Sequence, residues 1–184
     1  VPIMTGDVSG ARAPLSSFRG FDLLSPSESE LRSALRCFDE SLPAAAWKLL
    51  SLTGTHRMFL TLGGEGLIAF EPLRSSEGSE GHLADADPNR SRLRGEHIPA
   101  LSHYPVDSLG CGDALLSAAT LCLAAGGDIV QAGLLGSIAA ACEAQRLGNN
   151  PVSAGDLRRG LAKLFSASLA YAPDLAAARA PAQE

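Results

Sequence analysis

The stretch Val106-Asp107-Ser108-Leu109-Gly110-Cys111-Gly112-Asp113 runs straight into the apolar segment ALLSAATLCLAA at residues 114–125. Pro105 and the glycines disfavour regular structure up to Gly112. The residues after Asp113 are strong helix formers with apolar side chains at helical spacing. The pattern predicts a glycine turn opening directly into a helix. Such a turn leaves unpaired backbone N–H groups at the positive end of the helix, and glycine lets an anion approach them closely. Asp113 falls in the first helical turn, beside the place an anion would occupy. Two roles are open to it: a helix cap, favoured by about 0.3–1 kcal/mol through the helix dipole, or a reactive group facing the anion. Asp107, in the same turn, favours the second.

A length of 184 residues predicts one domain with a sizeable core, and the apolar share of 46% is ordinary for a globular chain. The formal net charge of -5 disfavours nucleic acid or an anionic membrane surface as the main partner. No apolar run reaches the roughly 18 residues of a membrane span, and the first residues lack a signal-peptide pattern. Cys37, Cys111, Cys122 and Cys142 are scattered, without metal-ligand or disulfide spacing. They read as reduced thiols, and the expected location is the cytoplasm. His56, His82, His97 and His103 show no spacing of a metal site or catalytic triad.

In chain order, residues 1–4 read as a short strand leading to Asp7-Val8-Ser9-Gly10, and residues 21–24 as a second, buried strand. Ser27-Glu28-Ser29-Glu30 forms a capping box before an apolar face of Leu31, Leu35 and Phe38. Ser41 and Pro43 open another helix, which Gly54 ends. Residues 58–62 are continuously apolar, as in a parallel strand buried on both faces. Gly63-Gly64-Glu65-Gly66 then turns the chain into a strand at 67–70, either as a plain hairpin or as a turn beside a ligand. Residues 73–95 are polar and turn-rich and read as a mobile surface insertion, with order resuming at His97. Gly126-Gly127-Asp128 ends the central helix and caps a helix at 129–145 whose alanines and glycines allow close packing. Ser153 and Asp156 make a further capping box, and residues 166–184 read as an Ala-rich frayed tail. Strands alternating with helices predict a layered α/β fold, mostly parallel, with its site at the carboxyl ends of the strands.

Four of these motifs, in order and spacing, resemble those of the ribokinase-like (PfkB) carbohydrate and nucleoside kinases. Residues 107–114 resemble the D-T-x-G-A-G-D signature, and Ser25-Pro26-Ser27-Glu28-Ser29-Glu30 the P-N-x-x-E segment. Thr61-Leu62-Gly63-Gly64-Glu65-Gly66 resembles the T-x-G-x-x-G turn. Ala139-Ala140-Ala141, Gly148 and Ser153 resemble the closing Ala-rich helix, turn and serine. Residues 7–10 resemble a mid-domain strand end, D-P-x-G. Within the family, Phe18-Arg19-Gly20 and Arg146-Leu147-Gly148 are most similar to the bacterial heptose-phosphate (D-glycero-β-D-manno-heptose 7-phosphate) kinases. The resemblance covers residues 1–165 and falls in the second half of the family domain. It implies an α/β/α ribokinase-like fold present as its C-terminal, nucleotide-binding part, with the sugar-binding residues and lid belonging to a preceding half.

The resemblance also implies a reaction: phosphorylation of a sugar or sugar-phosphate hydroxyl by ATP with Mg²⁺. Gly110, Cys111 and Gly112 would form the anion hole and Asp113 would be the base. Thr61, Gly63 and Gly66 would adjoin the nucleotide. Ser27 stands where the family has Asn, and Ser137 where it often has Asn near the adenine. Glu30 is either a structural cap or a residue tied to Mg²⁺, and Asp107 would help hold a monovalent cation such as K⁺. The family often dimerises through N-terminal lid strands, so a homodimer is implied as well. The rival from another class is a catalytically inactive nucleotide-binding or regulatory fragment, favoured by Ser27, Ser137 and the expected absence of the first half. A Rossmann oxidoreductase is excluded because no G-x-G-x-x-G follows an early strand with an acidic residue about 20 positions on.

Overall fold

The computed structural model describes residues 2–7, 14–73, 93–102 and 104–170. In chain order these form β1 (Thr5–Gly6), a 3₁₀ turn (Leu15–Ser17), β2 (Leu23–Leu24), α1 (Glu28–Leu35), α2 (Leu42–Thr53) and β3 (Met58–Thr61). A second 3₁₀ turn (Gly63–Glu65), β4 (Leu67–Pro72), β5 (Leu93–Ile98), α3 (Cys111–Ala124), α4 (Ile129–Ala144) and α5 (Ala154–Ala170) follow.

The strands make one sheet in the order β1-β2-β3-β4-β5. Pairs β1–β2 and β2–β3 are parallel, while β3–β4 and β4–β5 are antiparallel. Strand β4 therefore runs against the rest, because the short Gly63–Glu65 turn returns the chain beside β3. The carboxyl ends of β1, β2, β3 and β5 consequently lie along one edge, at Gly6, Leu24, Thr61 and Ile98.

Strand periodicity divides the core in two. Leu24, Met58, Leu60 and Phe70 pack under α1 and α2 with Leu31, Ala45, Ala46, Leu49 and Leu50. Their neighbours Leu23, Phe59, Leu67 and Ala69 point to the opposite face, against Leu115, Ala119 and Leu123 of α3 and Ile129 and Ala132 of α4. Alternate side chains thus fill alternate layers. Each fully buried leucine contributes about 2 kcal/mol through removal of apolar area from water. The small residues of α4 let α3 come close: a Cβ on Gly136 would lie 2.8 Å from the Leu115 carbonyl oxygen. Thr120 of α3 meets Thr5 of β1 through their hydroxyls at 2.9 Å, which sets α3 across the end of the sheet.

The expected caps form. Ser27 and Glu30 exchange bonds as a capping box, Ser41 caps α2, Gly54 ends it in the left-handed region, and Asp128 caps α4 with Gln131. Other expectations need correction. The first strand is Thr5–Gly6, not residues 1–4, and the second is only Leu23–Leu24. Helix α1 stops at Leu35 because Arg36 turns left-handed at φ 51°, so Phe38 lies past the helix and is 65% exposed. Helix α3 starts at Cys111, so Gly112 and Asp113 are helical. Strand β5 begins at Leu93, inside the stretch expected to be a loop. The rest of that insertion, 74–92, lies outside the described residues. Helix α5 continues through Ala170 and takes in the first residues of the expected tail, of which 171–184 are not described.

Candidate active site

The turn before α3 is built around Gly110, which is the N-cap at φ 81° and makes no side-chain cap bond. A side chain is strained in that conformation, and a Cβ there would lie 2.6 Å from Asn149 Oδ1. Asp107 shapes the turn from within: its Oδ1 accepts the Leu109 amide at 3.0 Å and its Oδ2 the Gly148 amide at 3.0 Å. Those amides, Leu109's first, hold the Asp107 carboxyl below its ordinary pKa. The turn is thereby tied to the loop after α4, and Val106 donates to the Ala144 carbonyl at 2.6 Å.

Cys111 opens the helix with its thiol directed at the Ala140 carbonyl, 3.6 Å away. Burial, then the Glu143 and Asp107 carboxylates, push that thiol's pKa up. Cys111 is accordingly an apolar filler between α3 and α4, and its backbone N–H donates to the Ser108 carbonyl at 3.3 Å, inside the turn. Gly112 and Asp113 are exposed. The Asp113 side chain makes no hydrogen bond or ion pair with any described residue, and Asp113 is not the N-cap, which is Gly110. A residue given no role in the site from the sequence joins here. Asp7, at the carboxyl end of β1, brings its Oδ2 to 3.5 Å from where a Gly112 Cβ would be. The clue was available, a carboxylate ending a strand on the site edge, but the contact depends on α3 crossing that edge.

A cleft of about 300 Å³ runs from this turn across the sheet edge. Its wall includes Thr61, Gly63, Gly64 and Gly66 from the β3–β4 turn, Ser137 from α4, and Cys111 and Gly112 from α3. Six expected site residues (Thr61, Gly63, Gly66, Cys111, Gly112 and Ser137) thus share one cleft, whose volume is within the range of small-molecule sites. Ala100, Leu101 and Ser102, after β5, complete it and were not foreseen. Gly66 keeps that segment close: its φ is 98°, and a Cβ would run into the Ile98 carbonyl oxygen and the Ala100 amide. Ser137 is 6% exposed, at the cleft floor.

Ser27 and Glu30 stand at one side. Ser27 pairs with Thr61 in an isolated parallel bridge, which brings the start of α1 to the end of β3. Its hydroxyl donates to Glu30 Oε2 at 2.7 Å and its amide does so at 2.8 Å. Glu30 is a working cap. Glu30 and Asp107 are not gathered into any cluster of three His, Cys, Asp or Glu side chains among the described residues. No described helix is long and apolar enough to cross a membrane.

Comparison with known proteins agrees with this geometry. The model of the pfkB family of carbohydrate kinases matches residues 6–154. The bifunctional protein HldE of Pseudomonas entomophila is 30% identical over 148 residues, covering 79% of this chain and 27% of that protein. HldE of Azotobacter vinelandii is 29% identical over 146 residues, with 78% and 27% covered. Among solved structures, ribokinase from Thermotoga maritima aligns with a TM-score of 0.65 at 23% identity, over 86% of this chain and 48% of its own. Phosphofructokinase-2 from Escherichia coli in complex with potassium gives 0.65 at 19%, over 88% and 47%. The chain thus spans about a quarter of the curated relatives and about half of the structural neighbours, and the structural likeness fixes a ribokinase-like fold. With its signature turn, its cleft and a family match over most of its length, the chain belongs to the pfkB family of carbohydrate kinases.

Proposed function

We propose that this chain is the nucleotide-binding part of a carbohydrate kinase that transfers the terminal phosphoryl group of ATP to a sugar or sugar-phosphate hydroxyl in the cytoplasm. The observation that carries this reading is the single cleft joining the Thr61–Gly66 turn and Ser137 to the start of α3. The nucleoside of ATP would lie along the glycine turn and Ser137. The terminal phosphate would meet the amides of Gly110, Cys111 and Gly112, where backbone donors and the helix dipole favour an anion. Phosphoryl transfer asks the protein mainly for positioning and charge stabilisation. The acceptor oxygen bonds to the γ-phosphorus as the bond from that phosphorus to the β–γ bridging oxygen breaks. ADP departs, and the hydroxyl proton passes to Asp113. An exposed carboxylate with no described partner, in the first turn of α3, suits that task.

Mg²⁺ fits the donor set, since it takes one or two carboxylates together with phosphate oxygens, and the Asp7 carboxylate stands beside Gly112. Bound there, it would neutralise charge on the transferring group. Glu30, fixed by the Ser27 box, would act on the same region from α1. Asp107 retains lone pairs beyond its two amide bonds and would hold K⁺ with neighbouring carbonyls. A heptose 7-phosphate is the acceptor to test first, and both the acceptor site and a homodimer contact would belong to the preceding half of the domain.

One observation favours the second reading, a nucleotide-binding fragment without transfer activity. The Ser27 hydroxyl, standing for the family's Asn, is already committed to Glu30. ADP release by the full chain with Mg–ATP and a panel of sugars and sugar phosphates separates the two. Turnover with a sugar phosphate supports the kinase. ATP binding without turnover supports the fragment, and neither would overturn both.

A further inference from the structure

The alanine-rich end of α4 carries one acidic residue, Glu143, whose side chain is 0% exposed. Its Oε1 accepts the Asn150 amide at 2.6 Å, and its Oε2 is buried with no hydrogen-bond partner among the described residues. A buried carboxylate oxygen without a donor is costly, and an aliphatic side chain would fill the same space without that cost. Packing alone gives no reason for a glutamate here.

What the carboxylate holds is the loop at 146–150. The Asn150 side chain donates to the Leu147 carbonyl at 2.9 Å and the Gly148 carbonyl at 3.0 Å, so the loop is a closed unit. That unit meets the signature turn twice, through the Gly148 amide on Asp107 and through Asn149 lying against Gly110. Glu143 also acts on Cys111, the first residue of α3, through its charge. The loop is therefore gripped on one side by Glu143 and on the other side grips the turn.

We propose that Glu143 is a positioning residue: by holding the Asn150 amide it sets the 146–150 loop against Gly110 and so fixes the aim of the phosphate-facing amides at the start of α3. The proposal rests on the nucleotide reading above, and its test separates the two. Glu143→Val removes the tie, whereas Glu143→Gln keeps the shape and a carbonyl acceptor for Asn150. In the full chain, amide exchange at Gly148 and Asn150 is measured together with affinities for Mg–ATP and for adenosine. Loss of this buried hydrogen bond predicts exchange faster by about tenfold and Mg–ATP affinity weaker by about tenfold in Glu143→Val. Adenosine affinity should stay within about twofold, since adenosine lacks the phosphates, and Glu143→Gln should restore both values. Equal weakening of ATP and adenosine, or unchanged exchange, overturns the proposal. If the wild-type chain binds neither ligand, the nucleotide reading fails, and the exchange comparison alone upholds or overturns the tie. Should Glu143→Val not fold, Glu143→Asp, which withdraws the oxygen by one methylene, is read in the same way.

Discussion

The Gly148 amide donates to Asp107 Oδ2 at 3.0 Å, joining the signature turn to a loop 41 residues further along the chain. With the Leu109 amide on Oδ1, this bond favours the charged carboxylate and lowers the Asp107 pKa. A lowered folded-state pKa means stability that is present above the unfolded value of 3.8 and is lost as pH falls through the lower folded value. Asp107→Asn offers only one acceptor oxygen and should melt below wild type at pH 7. The gap should close as pH falls below 3.8. Melting curves at pH 7, 5 and 3 check this, and a gap constant with pH would assign the effect to shape instead of charge.

Gly66 is the tightest glycine on the cleft. Its φ of 98° and the backbone atoms of Ile98 and Ala100 leave no room for a methyl group. Gly66→Ala should destabilise the fold by about 2 kcal/mol or more, through strain and forced displacement of the chain after β5. Gly64→Ala, with nothing within 4 Å, should cost under about 0.5 kcal/mol. Urea unfolding of the pair checks this, and equal midpoints would show that the turn adapts.

Much of this was legible locally. The helix caps at Ser27, Ser41, Asp128 and Ser153 follow from residue type at short spacing, and α3 from its apolar spacing after two glycines. Strand β5 was hidden because, as an edge strand, it buries only Ile98 fully and exposes Arg94, Gly95, Glu96 and His97, a pattern that protects an edge but erases alternation. The reversal of β4 depends on a three-residue turn that composition leaves open. Asp7 beside Gly112 and Glu143 behind the turn are meetings of distant segments. Short-range pattern reports neither, although a lone acid inside an alanine run was a clue to Glu143.

Mg–ATP should stabilise the full chain against heat. A ligand at 100 times its Kd adds about 2.7 kcal/mol to the folded state. Ser137, at the cleft floor, gives the control: Ser137→Leu fills the space where the base would lie and should abolish the shift while leaving the unliganded melting point within a few degrees. A shift that survives Ser137→Leu would move the nucleotide out of this cleft.

Asp113 carries the chemistry proposed here, and its position sharpens the test. Gly110 is the N-cap and Asp113 lies in the first turn with no described partner, so a purely structural Asp113 is limited to its charge in the helix dipole, about 0.3–1 kcal/mol. Asp113→Asn keeps the shape, removes that small term and cannot accept the hydroxyl proton. Loss of a general base costs about 10²–10⁴ in rate. ATP affinity should hold or rise slightly, because the proposed phosphate contacts are to backbone N–H groups and one negative charge beside them would be gone. Steady-state turnover and equilibrium ATP binding, measured on the same preparation, separate the two roles. Turnover lower by a hundredfold or more, with ATP binding intact and melting nearly unchanged, is the expected outcome. Near-normal turnover would remove Asp113 as the base and return it to the helix dipole, and Asp7, the other carboxylate at Gly112, would then be the residue to substitute.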